Sequence, residues 1–356
     1  MLRALLAPLA LLPFLLTAPS AAAWVVSTPG DPQLVLHSVG IAPDRVFAHG
    51  FTARLDADQV RRLRHLAGVV AERDRRLSPA WTTRSTSSWG LDRIDQRSLP
   101  LNGNYGYANT ASTVHAYVID TGIATADGDF SGRAHVAFDA LGGNGQDCNG
   151  HGTHVAGIVG GSTFGVAKRV HLEAVRVMDC SGRSTTGAVL AGIDWVRRHA
   201  VKPAVANLSL GGSFSTVLDR AVDDLADSGV VVVVAAGNSG TDACRTSPAA
   251  AGRALTVAAT DRSDTRAPWS NTGSCVDLFA PGVSITSDWL GGGTRVESGT
   301  SMAAPFVTGV AAIYVSKHPS DSVATVDAWL VAHATRDTVK RDPSGTPNRL
   351  LYSGGI

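Results

Sequence analysis

Short apolar runs alternate with longer helical patterns from Trp89 onward, and this alternation is the strongest constraint on the fold. The runs are continuously apolar, so both faces of each strand are expected to be buried. Strands of this kind form mainly parallel sheets, whose crossover helices cover both faces. The sequence therefore predicts an α/β domain over residues 89–356, with a mainly parallel sheet flanked by helices. The predicted strands are 114–119, 172–177, 204–208, 230–235 and 255–259, and the predicted helices are 151–160, 186–199, 216–228, 301–317 and 321–333.

The first 88 residues are organised differently and are predicted to form three segments. Residues 1–23 carry one charge, a leucine-rich run and a final triplet of alanines, which is typical of a secretory signal peptide. A retained membrane anchor is the alternative. Residues 24–81 predict a small α+β unit, with strands at 46–53 and 69–72 and a helix at 56–66. Residues 82–88 are polar and hydroxyl-rich, as expected of a linker that is open to proteolysis.

The overall charge excludes several classes of partner. The 31 basic and 30 acidic residues leave a net charge of +1, so no basic excess points to nucleic acid. After the signal peptide no segment reaches ~18 uninterrupted apolar residues, and we expect a mature monomer without membrane attachment. Residues 1–81 hold 9 basic and 6 acidic residues, and the remainder holds 22 and 24. The two parts are therefore expected to attract each other.

The chain, which is predicted to be exported, has four cysteines: Cys148, Cys180, Cys244 and Cys275. Export makes disulfides the default, and four cysteines allow three connectivities. Their separations favour sequential pairing, Cys148 with Cys180 and Cys244 with Cys275. A zinc site is the alternative, although the chain has no Cys-x-x-Cys pair.

Glycine-flanked motifs place an acid, a histidine and a serine near predicted element ends. Asp120 ends a predicted strand in VIDTG, His151 starts a helix in NGHGTH, and Ser301 lies in the first turn of a helix in SGTSMAAP. Each has a simpler interpretation, since a strand-end Asp often caps a turn and a helix-start Ser is often a cap. The two histidines of NGHGTH, His151 and His154, could bind metal, but no glutamate of an HExxH motif lies between them. His154 is expected to be packed.

Together these residues indicate acyl-transfer chemistry. A nucleophile, a base and an orienting acid are the groups that activate a hydroxyl, and here they occur in the order Asp, His, Ser. Asn238, at the end of a buried strand in AAGN, can donate its side-chain amide to an oxyanion. A non-catalytic binding protein and an esterase are the alternatives to a peptidase.

The motifs VIDTGI, NGHGTHVAG, SLGG, AAGN and GTSMAAP resemble those of the subtilases, the subtilisin-like serine proteases. The stretches WGLDRIDQRSLPL and GGNGQDCNGHGTHVAG are similar to those of the proteinase K and aqualysin group. The resemblance implies a secreted serine endopeptidase with a triad of Asp120, His151 and Ser301 and an oxyanion hole completed by Asn238. It also implies the sequential disulfide pairing, no catalytic cofactor, and residues 24–81 as an intramolecular inhibitor that is later removed.

The same resemblance implies how protein or peptide substrates bind. One segment would pair with the substrate backbone. A second segment, which is usually Gly-Ser-Gly in the family, here carries an additional positive side chain. A strand end would line the pocket for the residue before the scissile bond. That pocket is expected to be neutral and to prefer aromatic and larger aliphatic side chains. The implied substrate-binding residues are Ser209, Leu210 and Gly211, Gly182 and Arg183, and Ala236 and Gly237.

Structural calcium is also implied by the resemblance. One site would use the Asp277 side chain with backbone carbonyls near Gly252 and Ala254. A second site would use an N-terminal cluster whose oxygen-bearing side chains suit Ca²⁺, although ordinary salt bridges of these acids are the alternative. The cluster comprises Asp92, Asp95, Gln96, Asn102 and Asn104.

Overall fold

The computed structural model describes residues 21–74, 82–354 and 356, which fall into two compact units. The first unit lies within residues 1–79 and the second within residues 80–356. Most of the predicted signal peptide lies outside the described residues, and so does the end of the predicted inhibitory segment at 75–81.

The first unit is a four-stranded antiparallel sheet with two helices. Its sheet has the strand order β2-β3-β1-β4, and alternate residues of β1, Trp24 and Val26, contribute to one apolar core. The helix α2 begins with a capping box, in which Asp56 and Gln59 each bond the other's backbone N–H, as helix starts favour. The elements are β1 (Ala22–Ser27), α1 (Pro32–Val39), β2 (Arg45–Phe47), β3 (Gly50–Leu55), α2 (Ala57–Arg64) and β4 (Val70–Arg73).

Two features of this unit differ from the sequence prediction. The single strand predicted at 46–53 is two antiparallel strands, β2 and β3. A side chain at Gly50 would overlap the carbonyl oxygen of Val26 in β1, so the pairing of β3 with β1 needs glycine at the start of β3. The elements β1 and α1 were not predicted, although Asp31 caps α1 and Pro32 opens it, a combination typical of helix starts.

The second unit contains the predicted α/β domain. Its strands are β5 (Thr82–Ser85), β6 (Asn104–Tyr107), β7 (His115–Asp120), β8 (Ala134–Asp139), β9 (His171–Arg176), β10 (Ala204–Leu208), β11 (Gly212–Ser213), β12 (Val231–Ala235), β13 (Thr246–Ser247), β14 (Leu255–Thr260), β15 (Leu278–Pro281), β16 (Ile285–Trp289), β17 (Gly293–Glu297), β18 (Thr335–Arg336) and β19 (Arg349–Leu350). Its helices are α3 (Trp89–Ile94), α4 (His151–Gly160), α5 (Thr186–His199), α6 (Thr216–Asp227), α7 (Thr300–Lys317) and α8 (Val323–His333).

The central sheet is mainly parallel, as the apolar runs predict. Its nine strands have the order β18-β19-β15-β14-β12-β10-β7-β9-β8, and only the β18–β19 pair is antiparallel. All five predicted strands are present within one or two residues of their predicted bounds. Residues 82–85, expected in a linker, form the exposed strand β5 paired with β6.

Helices cover both faces of this sheet. The helices α4 and α7 pack on one face and α5 and α6 on the other, so that two apolar cores form. Successive residues of β7 point into different cores, with Val118 in the first and Ile119 in the second. This arrangement explains why the strands carry apolar residues at successive positions instead of only at every second one.

Two disulfides join the cysteines in sequential pairs, as predicted. Cys148 pairs with Cys180 and Cys244 with Cys275, with Cα–Cα distances of 5.0 and 5.4 Å. The second unit contains all four cysteines, and none is free.

Candidate active site

Polar residues follow three neighbouring parallel strands of the central sheet. Asp120 is the last residue of β7, Ser209 follows β10, and Asn238 lies three residues after β12. The strand order β12-β10-β7 makes these strands adjacent. Because carboxyl ends of adjacent parallel strands meet at one edge of a sheet, the fold gathers these residues where open α/β sheets build binding sites.

His151 is the first residue of α4, and Asp120 holds its ring. Nδ1 of His151 lies 2.7 Å from Oδ1 of the buried Asp120, which also accepts a hydrogen bond from the N–H of Thr121. Burial alone would lower the pKa of His151, but the charge and hydrogen bond of Asp120, aided by Asp147 and Glu297, raise it above its ordinary value. With Nδ1 bonded, Nε2 is the ring atom that is left for proton transfer.

Asp147 organises the start of α4 and was not predicted from the sequence. The N-cap of this helix is Gly150, which has no side chain to bond the free N–H groups. Asp147 takes this role: Oδ1 accepts from the N–H groups of Asn149 and Gly150, and Oδ2 accepts from the N–H and hydroxyl of Thr153. An acid four residues before a glycine-capped helix is the sequence signal that could have identified it.

The two glycines beside His151 allow close approach of the surrounding chain. A side chain at Gly150, whose φ is +107°, would overlap the ring of Trp289. A side chain at Gly152 would overlap the Gly122 carbonyl oxygen and lie 3.2 Å from Cβ of Asp120. Larger residues at these positions would therefore separate His151 from its acid.

Ser301 is the second residue of α7 and is tied to the end of β10. Pro305, four residues later, has no N–H, so the Ser301 carbonyl lacks its usual helical donor. The Ser209 hydroxyl donates to this carbonyl at 2.8 Å, and the Ser301 hydroxyl donates to the Ser209 carbonyl at 3.2 Å. These reciprocal bonds place the candidate nucleophile beside the strand adjacent to β7.

Thr300 fixes the orientation of the Asn238 amide and was also not predicted. Its N–H and hydroxyl both donate to Oδ1 of Asn238, at 2.8 and 2.9 Å, and its hydroxyl accepts from the N–H of Gly237. Because Oδ1 is the acceptor, Nδ2 is the free donor end. A Cβ atom built on Gly299 would lie 3.4 Å from this Nδ2 and 3.5 Å from the N of Ser301, so two donors border one space.

A cavity of about 550 Å³ brings together most of the predicted substrate-binding residues. Arg245 lines the same cavity, so its wall carries one positive side chain in addition to the small apolar residues that were predicted. The sequence could not show this, since Arg245 follows β12 by ten residues in a separate loop. The predicted residues on the cavity wall are Ser209, Leu210, Gly211, Ala236, Gly237, Asn238 and Ser301.

Gly182 and Arg183 do not line this cavity. They belong to a tight turn after Cys180, in which Asp179 accepts the N–H of Arg183 at 3.0 Å and Gly182 has a φ of +73°. A Cβ atom on Gly182 would lie 3.5 Å from the side chain of Asn149. The turn therefore lies beside the segment that leads into His151.

His154 is packed, as expected. It is fully buried, and Nε2 lies 3.1 Å from the carbonyl oxygens of Ile285 and Arg295. Two carbonyl acceptors require a protonated Nε2, and burial lowers the pKa of His154 to about 4. The neutral ring therefore holds the β16–β17 hairpin against α4.

Asp277 is a partly buried acid whose charge acts on a second partly buried acid, Asp327. Burial raises the pKa of Asp277, and burial together with the charge of Asp277 raises the pKa of Asp327 on α8 to about 7. One Asp277 oxygen accepts the N–H of Thr256 at 2.8 Å. Oδ1 of Asp327 is buried without a hydrogen-bond partner in the described part of the chain, and Asp327 shares a cavity with Gly252. Asp327 was not among the predicted ligands.

The predicted N-terminal cluster divides into free and bonded oxygens. Oδ1 of Asp95 and Oε1 of Gln96 are buried and lack partners among the described residues. Both oxygens of Asp92 accept backbone N–H groups, and Asn102 Oδ1 accepts the N–H of Asn104. Two of the predicted ligands therefore offer a free buried oxygen for Ca²⁺, and Asp92 and Asn102 already stabilise the turn.

The described ranges contain no group of three or more His, Cys, Asp or Glu side chains arranged to hold a metal ion. They also contain no helix long and apolar enough to cross a membrane.

Comparison with known proteins points to one family. A sequence profile of the subtilase family, Peptidase_S8, matches residues 112–351. The chain is 48% identical to an extracellular serine proteinase of Thermus sp. (strain Rt41A), over 88% of this chain and 78% of the relative. It is 44% identical to proteinase T of Parengyodontium album, over 76% and 94% of the two chains. The crystal structure of a cold adapted subtilisin-like serine proteinase superposes with a TM-score of 0.74 at 50% identity, covering 75% of this chain and 98% of that chain.

Proposed function

Because the chain belongs to the subtilase family of serine proteases, we propose that it is a secreted endopeptidase with Asp120, His151 and Ser301 as its triad. The observation that carries this proposal is the 2.7 Å hydrogen bond from His151 to the buried Asp120. It orients the ring and favours its charged form, as a general base for a serine requires. Export is supported by the signal-like residues 1–23 and by the extracellular relative.

The proposed reaction is acyl transfer in two halves. His151 Nε2 accepts the proton of the Ser301 hydroxyl as Oγ bonds to the substrate carbonyl carbon. The carbonyl oxygen becomes negative and accepts hydrogen bonds from Asn238 Nδ2 and the Ser301 N–H. His151 then protonates the departing amine as the C–N bond breaks, which leaves an acyl-enzyme. Water attacks this ester with the same base, releases the acid and restores Ser301.

Substrate is proposed to bind along the carboxyl ends of the strands. The segment Ser209, Leu210 and Gly211 would pair with the substrate backbone, as in β-strand addition, and the turn with Gly182 and Arg183 would border the other side. Alanine-rich walls of the cavity favour aromatic and larger aliphatic side chains before the scissile bond, because burial of apolar area stabilises by roughly 25 cal/mol per Å².

Calcium is proposed to have a structural role. Asp277, with carbonyls near Gly252 and Ala254, would hold one ion, and the free oxygens of Asp95 and Gln96 would contribute to a second. The triad and Asn238 already provide the acid–base and electrostatic groups for acyl transfer. Bound Ca²⁺ would neutralise buried carboxylates and stabilise the native state.

The first unit is proposed to be an intramolecular inhibitor. It has its own core, and one face of its sheet exposes Val25, Phe47 and Val70, which are 37%, 48% and 54% exposed. These exposed apolar side chains lie on the sheet face that the unit's own helices leave uncovered, and such a face is suited to docking. If the unit is removed by self-cleavage, Ser301→Ala should yield an uncut precursor, whereas efficient release of mature protein from this variant would indicate another protease.

Covalent labelling tests the proposed function directly. A fluorophosphonate should label Ser301 in the folded protein and should not label the Ser301→Ala or His151→Ala variant. Peptide and ester substrates of matched sequence should then both be cleaved. Labelling without peptide cleavage would support an esterase, and absence of labelling would support a non-catalytic binding protein.

A further inference from the structure

Arg245 is the one charged residue among the described residues that line the candidate substrate cavity. The remaining walls consist of small apolar residues, hydroxyl and amide side chains, and the aromatic ring of Phe214. Ser301 and Asn238 line the same cavity. The positive charge therefore lies on the wall of the same cavity as the proposed nucleophile.

The backbone of Arg245 is held in place from two directions. Arg245 ends a single turn of 3₁₀ helix, Ala243–Arg245, whose start is capped by Asp242 and which includes the disulfide-bonded Cys244. The next residue begins β13, which pairs with β11, and the register Ser213 to Thr246 places Arg245 across from Phe214. The backbone therefore fixes the point on the cavity wall from which the Arg245 side chain extends.

The guanidinium of Arg245 is not neutralised within the described part of the chain. The residue is exposed, and no carboxylate there lies within ion-pairing distance of it. Its side chain also donates no hydrogen bond to another described residue. A guanidinium has five N–H donors in a planar fork that matches a carboxylate, and a cleft lined by one sign of charge attracts the opposite sign.

We propose that Arg245 gives the primary pocket charge selectivity, so that glutamate before the scissile bond is favoured over glutamine and lysine is disfavoured. This inference rests on the proposed endopeptidase function and narrows its substrate class. Glutamate and glutamine have nearly the same shape and the same apolar stem, so the difference in cleavage between the two peptides measures the effect of the charge alone. Peptides with an apolar residue before the scissile bond remain substrates, since the alanines of the cavity wall still offer apolar contact.

The inference is tested with four tetrapeptide amides that differ only in the residue before the cleaved bond: Phe, Glu, Gln or Lys. The quantity of interest is the ratio of kcat/KM for Glu to that for Gln, because a ratio within one enzyme cancels differences in active fraction. In Arg245→Gln this ratio should fall by about two- to tenfold, the range for a partly solvated charge pair, and cleavage after Lys should rise relative to Gln. Arg245→Lys keeps the charge and should retain most of the ratio.

Arg262→Gln is the matched control, because it removes the same charge from an exposed position that does not line the cavity. It should leave the ratio unchanged. In the wild-type enzyme the ratio should also decrease as salt is raised from about 0.1 to 1 M, since the screening length falls from ~10 to ~3 Å.

A Glu/Gln ratio that is the same in Arg245→Gln and wild type, or that changes equally in Arg262→Gln, would overturn the inference. If the Phe peptide is cleaved in that case, the proposed function stands and only the role of Arg245 fails. If the wild-type protein cleaves none of the four peptides and resists fluorophosphonate, the proposed function itself has failed.

Discussion

Asp288 is a buried acid whose neighbours predict an unusual pH dependence of stability. It lies in β16, is 4% exposed, and has one oxygen without a hydrogen-bond partner among the described residues. Burial, the charges of Asp129 and Asp127, and a hydrogen bond to Asp129 raise its pKa to about 8. The raised pKa favours the protonated form of Asp288 at neutral pH. The neighbouring Asp129 side chain accepts the N–H of Thr163 at 2.9 Å.

The sign of the effect follows from proton linkage. Because the folded pKa is raised, the folded state keeps a proton that the unfolded chain releases above its ordinary pKa of 3.8. The contribution of Asp288 to the free energy of unfolding is therefore greatest below pH ~4. It decreases as the pH rises and levels off above pH ~8. Because the folded state binds one more proton than the unfolded state, the free energy of unfolding falls by about 1.4 kcal/mol per pH unit. Between pH 5 and 7 this loss is at most about 3 kcal/mol.

The variant Asp288→Asn should remove this decrease in the free energy of unfolding, since an amide of nearly the same shape is neutral and does not titrate. The free energy of unfolding would be measured by urea titration and tryptophan fluorescence at pH 5, 6 and 7, at constant calcium. Fluorophosphonate-inactivated protein prevents self-digestion. The control Asp194→Asn should leave the slope unchanged, because hydrogen bonding to Arg197 lowers the pKa of Asp194 and it stays ionised throughout. Equal slopes for wild type and Asp288→Asn would refute the assigned protonation.

Four further predictions concern the site and its cations. Asn238→Ala should lower kcat by roughly 10²–10³ with little change in KM, as loss of one oxyanion donor does; a change in KM alone would assign Asn238 to substrate binding. Thr300→Val should also lower kcat, by a smaller factor than Asn238→Ala, because the Thr300 hydroxyl orients Asn238. Thr300→Ser keeps the hydroxyl and should have a kcat near that of the wild type. Equal kcat values for the Val and Ser variants would exclude this role. The acid limb of the kcat/KM profile should lie above pH 6.5, since Asp120 raises the pKa of His151, and a limb below this value would contradict the pairing. Chelation should lower the melting temperature more than the initial activity at moderate temperature, whereas immediate inactivation of a folded protein would indicate a catalytic metal.

Much of the fold follows from local patterns. The runs around Val118, Leu208 and Val234 are apolar on both faces, and only a covered parallel sheet accommodates them. Their order along the chain, with helices between them, then places Asp120, Ser209 and Asn238 at one edge. The first unit was predicted less completely, because its short strands alternate and the pairing of β3 with β1 depends on the close approach of Gly50 to Val26.

The order of the amino acids specifies which chemical groups are available, and the packing of the folded chain sets which of them are free to act. Ser209 and Ser301 are 92 residues apart, yet their reciprocal bonds orient the nucleophile. Asp92 has the ligand chemistry of Asp95 but already accepts two backbone N–H groups. Arg245 reaches the cavity from a loop that no motif marks. The physical reason is that hydrogen bonding, burial and local charge depend on partners distant in sequence, and these partners are set only when the chain is packed.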